Sequence, residues 1–145
     1  MMMKQALNLA KQTAGEIPVG AIIVKDGQII AQASNTRESE NDITSHAEIS
    51  AIKRASNFLG TWHLDGCELY VTLEPCPMCA WAILQSRIST VYFGSYNPKY
   101  GAFSSAINLA LISDYKPKIY GGIMEKECDE VLSDFWAKKR SNQHQ

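Results

Sequence analysis

Polar and apolar residues alternate over positions 1–14 with the spacing of an amphipathic helix, and Leu7, Leu9 and Ala10 mark its apolar side. Residues 15–18, which include Gly15 and Pro18, interrupt that pattern, and 19–24 follow as an unbroken apolar run suited to a buried strand. Asp26-Gly27 sits between Ile23-Val24 and Ile29-Ile30, the strongest short-range hairpin signal in the chain. The first two strands are therefore expected to be antiparallel neighbours. After a polar, turn-rich stretch over 35–44, Ser45-His46-Ala47-Glu48 opens a helix carrying Ile49, Ile52, Ala55 and Leu59, and Gly60 ends it. Residues 68–73 read as a strand, 77–87 as a helix with Pro77 at its first position, and 90–94 as another strand. Strand and helix alternate here, which implies parallel pairing.

Residues 95–105 carry polar and aromatic side chains with no clear period and are expected to form a loop over the surface. A weak helix and a short strand should follow, up to Tyr120. Gly121-Gly122 precedes a last helix whose apolar stripe is Val131, Leu132, Phe135 and Trp136, with Lys138, Lys139 and Arg140 after it.

The chain's 145 residues, 46% of them hydrophobic, are enough for one ordinary domain spanning 1–145. No apolar run approaches the roughly 20 residues that cross a bilayer, and nothing reads as a secretion signal or membrane anchor. A net charge of −1 gives no global attraction to phosphates, so a polyanionic partner would need a local basic patch. Two of the four cysteines are spaced Cys76-Pro-Met-Cys79, which in a chain without a signal sequence points to metal or redox chemistry and to a reducing cytoplasm. Cys67 and Cys128 are then expected as free thiols.

Cys76 and Cys79 lie three positions apart, so if Cys76 caps the helix begun by Pro77, both sulfurs can face one side at its positive end, where thiolates are favoured. A third donor would complete a zinc site that leaves one tetrahedral position open, and His46, itself at a helix start, is the candidate. Glu48, in the first turn of that helix, could carry protons for a water whose pKa zinc lowers to about 7. Each residue also has a plainer role: Ser45-x-x-Glu48 fits a capping box, and a Cys-x-x-Cys pair fits a redox dithiol or half of a structural zinc site. Together, His46-Ala47-Glu48 and Pro75-Cys76-Pro77-Met78-Cys79 form the H-x-E…P-C-x-x-C signature of zinc deaminases.

Beyond that motif, Ile17-Pro18-Val19-Gly20-Ala21, Tyr70-Val71-Thr72-Leu73-Glu74, Gln85-Ser86-Arg87-Ile88, Asn97-Pro98-Lys99-Tyr100-Gly101-Ala102 and Ser133-Asp134-Phe135-Trp136 extend a likeness over nearly the whole chain. The sequence resembles the bacterial tRNA adenosine deaminases, which form inosine at the anticodon wobble position, within the cytidine deaminase-like superfamily. The resemblance implies an α/β fold, a three-layer α/β/α sandwich around a five-stranded mixed sheet, with one zinc ion per subunit and a homodimer. It implies that Asn35 hydrogen-bonds the purine ring and the Ala47 amide contacts the base edge, while Ile17, Pro18, Leu73, Glu74 and Pro75 wall the pocket. Phe135 and Trp136 would stack on flanking bases or pack in the core, one ring each way, with Asn97, Lys99, Lys138, Lys139 and Arg140 near the backbone of a tRNA anticodon stem-loop. Asn97 stands where the family commonly has aspartate.

Two other functions fit the same zinc motif. One is deamination of a free base or nucleoside such as guanine, cytosine or cytidine, which needs a lid over the substrate rather than an open basic mouth. The other is a silent zinc-binding subunit that only holds RNA, a class that often lacks the proton-carrying glutamate present here as Glu48.

Overall fold

The computed structural model describes residues 1–143; His144 lies outside them. Five strands form one sheet in the order β2-β1-β3-β4-β5. β1 (Gly20–Lys25) and β2 (Gln28–Ser34) are antiparallel, and the turn joining them has positive φ at Asp26 and at Gly27. That pair of left-handed residues matches the right-handed twist of the strands it joins. β1 is also antiparallel to β3 (Cys67–Leu73), whereas β3, β4 (Thr90–Ser95) and β5 (Lys118–Tyr120) run parallel.

This pairing fixes where the chemistry can sit. β2 and β3 both oppose β1, so they point the same way and end at the same edge of the sheet. β2 leads into helix α2 (Ala47–Leu59) and β3 into α3 (Pro77–Gln85), which brings both helix starts to that edge. α2 packs against β1 and β2 through Ala47, Ala51 and Ala55, all fully buried, and the apolar residues Ile52 and Leu59 cover the margin of this core. Of the residues expected on this face Ala55 is fully buried, while Ile52 and Leu59 lie at its margin; close approach to the sheet brings in Ala47 and Ala51, which the sequence pattern does not mark. Ile83, Leu84, Leu69 and Val91 complete the core on this side, each contributing about 1.5–3 kcal/mol of burial.

The opposite face carries α1 (Met2–Lys11) and α4 (Glu125–Gln143). Met3, Ala6 and Leu7 of α1 meet Ile22 and Val24 of β1 and Cys128 of α4. Gly20 lets α1 approach closely, since a Cβ there would run into the Ala6 carbonyl. The expected weak helix is a single 3-10 turn, Leu109–Ile112. None of the described helices is long and apolar enough to cross a membrane.

The segment 95–105 departs from expectation in part. Its outer part, including Tyr96, Lys99 and Tyr100, is exposed as expected, but Ala102 and Phe103 turn inward at 0% and 3% exposure, and the Ala102 amide donates to the Pro75 carbonyl at 2.9 Å. The cause is Glu74, an acceptor whose partners lie some thirty positions further along the chain.

Candidate metal centre and active-site cavity

His46 is the N-cap of α2 and Cys76 the N-cap of α3, each in extended backbone conformation just before its helix. The first intrahelical bonds run from Ser50 N to His46 O at 3.0 Å and from Ala80 N to Cys76 O at 2.8 Å. The amides before them have no partner inside the helix, and their partial positive charge faces the same corner of the molecule. Pro77, without an N–H, suits the first position of α3. Ser45 precedes the cap rather than forming it, and no side-chain cap bond is made, so the capping-box alternative for Ser45 and Glu48 does not form.

The donors His46, Cys76 and Cys79 converge, with ligand atoms within 4.8 Å of one another, and no other such cluster occurs among the described residues. His46 Nδ1 lies 3.7 Å from Cys76 Sγ and 3.4 Å from Cys79 Sγ. A tetrahedral zinc with metal–nitrogen near 2.0 Å and metal–sulfur near 2.3 Å has a nitrogen–sulfur edge of about 3.5 Å, so the three side chains fit that ion. Their charges fit it too. Hydrogen bonding from Cys79, and then from His46, holds the Cys76 thiol down to about 4 against the effect of burial. Hydrogen bonding with Cys76, burial and the Glu48 carboxylate push the Cys79 thiol up. The chain's own groups thus support one thiolate readily and oppose a second, which is the deficit a divalent cation makes good.

Beside the donors lies a cavity of about 480 Å³. His46, Ala47 and Glu48 come from α2, Cys76, Pro77 and Met78 from the start of α3, and Leu73 and Glu74 from the end of β3. Ile17, Val19 and Asn35 close one side, and Arg37, Ile43, Asn97 and Tyr100 stand toward its rim. Glu48 is 5% exposed, and burial pushes its carboxyl up to about 7 against a hydrogen bond with its own amide. Asn35 donates from Nδ2 to the Ile17 carbonyl at 3.1 Å and accepts the Arg37 amide at Oδ1 at 3.3 Å. A side-chain amide offers two donors and two acceptor lone pairs, so one of each remains for a ligand.

Other residues singled out from the sequence lie elsewhere. Pro18 lines a second hollow, between α1 and α4, together with Phe135, Lys138 and Lys139. Trp136 and Arg140 border a third, with Asp129. Phe135 and Trp136 meet edge to face, 5.1 Å between centroids, and Lys139 Nζ stands 5.9 Å and 5.4 Å from the two rings. Trp136 is 40% exposed and Phe135 half-buried, and neither ring lines the metal cavity, because α4 packs on the far face of the sheet from α2 and α3. Pro75 is buried and meets Ala102 instead of the cavity. Lys99 is exposed, next to Tyr100. Cys67 and Cys128 are free and buried.

Glu74 is 1% exposed and acts as an anchor. Its carboxylate accepts the amides of Asn97 at 3.1 Å, Phe103 at 3.2 Å, Ser104 at 2.9 Å and Ser105 at 3.1 Å, together with the Ser105 hydroxyl. Burial pushes this carboxyl up, but those hydrogen bonds outweigh it and hold it below the ordinary carboxylate range. Arg37, Ile43, Met78 and Tyr100 were not recognised as cavity residues from the sequence. Arg37 and Ile43 sit in a stretch that reads only as turn, and Tyr100 in one without a period.

Comparison with known proteins agrees with this geometry. The family model for the cytidine and deoxycytidylate deaminase zinc-binding region matches residues 1–95, which hold all three donors. The tRNA-specific adenosine deaminase of Bacillus subtilis (strain 168) is 44% identical over 142 residues, 95% of this chain and 88% of that protein. That of Aquifex aeolicus (strain VF5) is 45% identical over 143 residues, covering 97% and 95%. A solved structure from studies of A-to-I editing by tRNA:A34 deaminases at the wobble position of transfer RNA superimposes with a TM-score of 0.86 at 43% identity, covering 90% of this chain and 97% of that one. The fold is therefore the three-layer, cytidine deaminase-like one, and the cofactor is zinc, one ion per chain. The chain belongs to the tRNA-specific adenosine deaminase family, a branch of the zinc-dependent cytidine and deoxycytidylate deaminases.

Proposed function

We propose that the protein converts adenosine to inosine at the wobble position of a tRNA anticodon by hydrolysis, with His46, Cys76 and Cys79 holding zinc and Glu48 carrying protons. The observation that carries this reading is the buried Glu48 carboxylate in the same cavity as two of the zinc donors, on a chain whose relatives are named for that activity. When bound, zinc supplies a Lewis acid that lowers the pKa of a water molecule from 15.7 to about 7. Glu48 takes a proton from the attacking water and delivers it to the departing nitrogen. The purine C6 gains the water oxygen and loses its amino group as ammonia. Asn35, with one donor and one acceptor unspent, and the Ala47 amide at the start of α2 orient the ring edge.

The base reaches this cavity only when it is splayed out of its stack, which anticodon loops permit. Ile17, Leu73, Glu74 and Asn97 line its walls, and Lys99, exposed beside Tyr100, supplies a positive charge for the RNA backbone. Phe135, Trp136, Lys139 and Arg140 form a separate aromatic and basic surface for more distant parts of the RNA. The protein works as a homodimer. Trp81, 39% exposed on the outward side of α3, and Leu111 and Ile112, 75% and 72% exposed on the neighbouring 3-10 turn, give the apolar face such an assembly would cover. Cys67 and Cys128 as free thiols fit a reducing cytoplasm.

The substrate class is tested by following inosine in an anticodon stem-loop beside ammonia release from free adenosine, guanine and cytidine. Conversion of the stem-loop is expected. Activity on the free compounds alone would replace this reading with that of a nucleobase or nucleoside deaminase.

A further inference from the structure

Tyr100 stands at the rim of the metal cavity and is 55% exposed. An aromatic side chain left in water on a surface loop ordinarily gains nothing from being held still. Here the backbone that carries it is held firmly. Its own amide donates to Asn97 Oδ1 at 3.2 Å, and the next amide, of Gly101, donates to the Asn97 carbonyl at 2.7 Å. Asn97 itself hangs from the Glu74 carboxylate, and Gly101 has no room for a Cβ, which would strike that same carboxylate. The loop thus presents the ring from a backbone fixed by a buried charge. Lys99 Nζ lies 5.1 Å from the ring centroid, so a cation covers one face and the other is left for a flat partner.

We propose that Tyr100 is a stacking platform for a nucleotide next to the wobble adenosine, with Lys99 placed for the adjoining phosphate. The proposal deepens the reading given under Proposed function and rests on it. A base splayed into the cavity leaves its neighbours unstacked, and an aromatic ring carried at the rim by a fixed backbone replaces the lost contact at reduced ordering cost. Stacking is sequence-tolerant because every base has a π-face, so Tyr100 would confer preference for a polynucleotide over a free nucleoside rather than for a particular neighbouring base.

The test measures Kd by fluorescence anisotropy, and KM and kcat by inosine formation, on an anticodon stem-loop and on two versions lacking the base on one or the other side of the wobble adenosine. Tyr100→Ala is expected to raise Kd and KM roughly ten-fold with kcat within about two-fold, while Tyr100→Trp stays near the parental protein. On one of the two abasic substrates the parental protein and Tyr100→Ala should converge. The proposal is overturned if Tyr100→Ala binds the intact stem-loop within about two-fold of the parental protein, or if its defect persists in full on both abasic substrates. A parental protein that binds the stem-loop without converting it defeats the deaminase reading while leaving the stacking claim to the Kd comparison. One that does neither defeats both.

Discussion

The carboxylate of Glu74 accepts the amide of Ser104 at 2.9 Å across thirty positions of sequence, and with its other bonds ties the rim of the active-site cavity to the strand that leads into the zinc cysteines. Glu74→Ala should strand several buried amide donors at once and destabilise the zinc-loaded protein by about 3 kcal/mol, read by urea denaturation. Gly101→Ala should reproduce part of that loss, since its methyl group would displace the same carboxylate. Parental stability in Glu74→Ala would show that the loop is held by other means.

Glu16 plays a similar part on the opposite rim, accepting the amides of Glu38 at 2.9 Å and Ser39 at 2.8 Å. Burial pushes its carboxyl up, but those amides, the Ser39 hydroxyl and the nearby Arg37 charge outweigh burial and lower it. Because the folded carboxyl ionises below its unfolded value of about 4.3, its contribution is complete above that pH and is lost as pH falls through the folded value. Glu16→Gln should therefore be less stable than the parental protein near neutrality, with the difference shrinking below about pH 4 in thermal melts. A difference that stays constant with pH would remove the charge from the explanation.

Cys79 is fully buried between the starts of α2 and α3. Cys79→Ala should lower zinc affinity by more than the roughly 10–100-fold typical of residues that merely support a ligand, and should lower the melting temperature, because metal binding contributes to folding. Metal analysis after dialysis against a chelator checks this. Stoichiometric zinc in the variant would exclude Cys79 as a donor.

The apolar face around Trp81 makes a distinct claim. Trp81→Asp should leave zinc content unchanged and shift sedimentation from dimer to monomer. A parental protein that sediments as a monomer at high concentration would overturn the proposed homodimer.

Much of this arrangement is legible in the sequence because it rests on local chemistry. Asp26-Gly27 fixes a tight turn through two left-handed residues, Pro77 marks a helix start, and His46, Cys76 and Cys79 carry a spacing that few other chemistries require. Long-range effects are what the pattern misses. Residues 95–105 have no period since their order comes from Glu74, whose acceptor role cannot be read from its neighbours, and so Tyr100 was not recognised as a cavity residue. Ser45 and Glu48 match a capping box at the level of letters, yet the helix begins one residue later, with His46 as cap. Pro18 and Ile17 are adjacent in sequence but line different hollows, a partition that depends on where α4 packs.

The most direct test compares the zinc-loaded parental protein with Glu48→Gln by mass analysis of treated anticodon stem-loop, with zinc measured in both. The expected result is replacement of the wobble amino group by oxygen with the parental protein, and a loss of at least about 100-fold in rate with full zinc retention in the variant. Inosine formed at the parental rate by Glu48→Gln would contradict the assignment of Glu48 as the proton carrier.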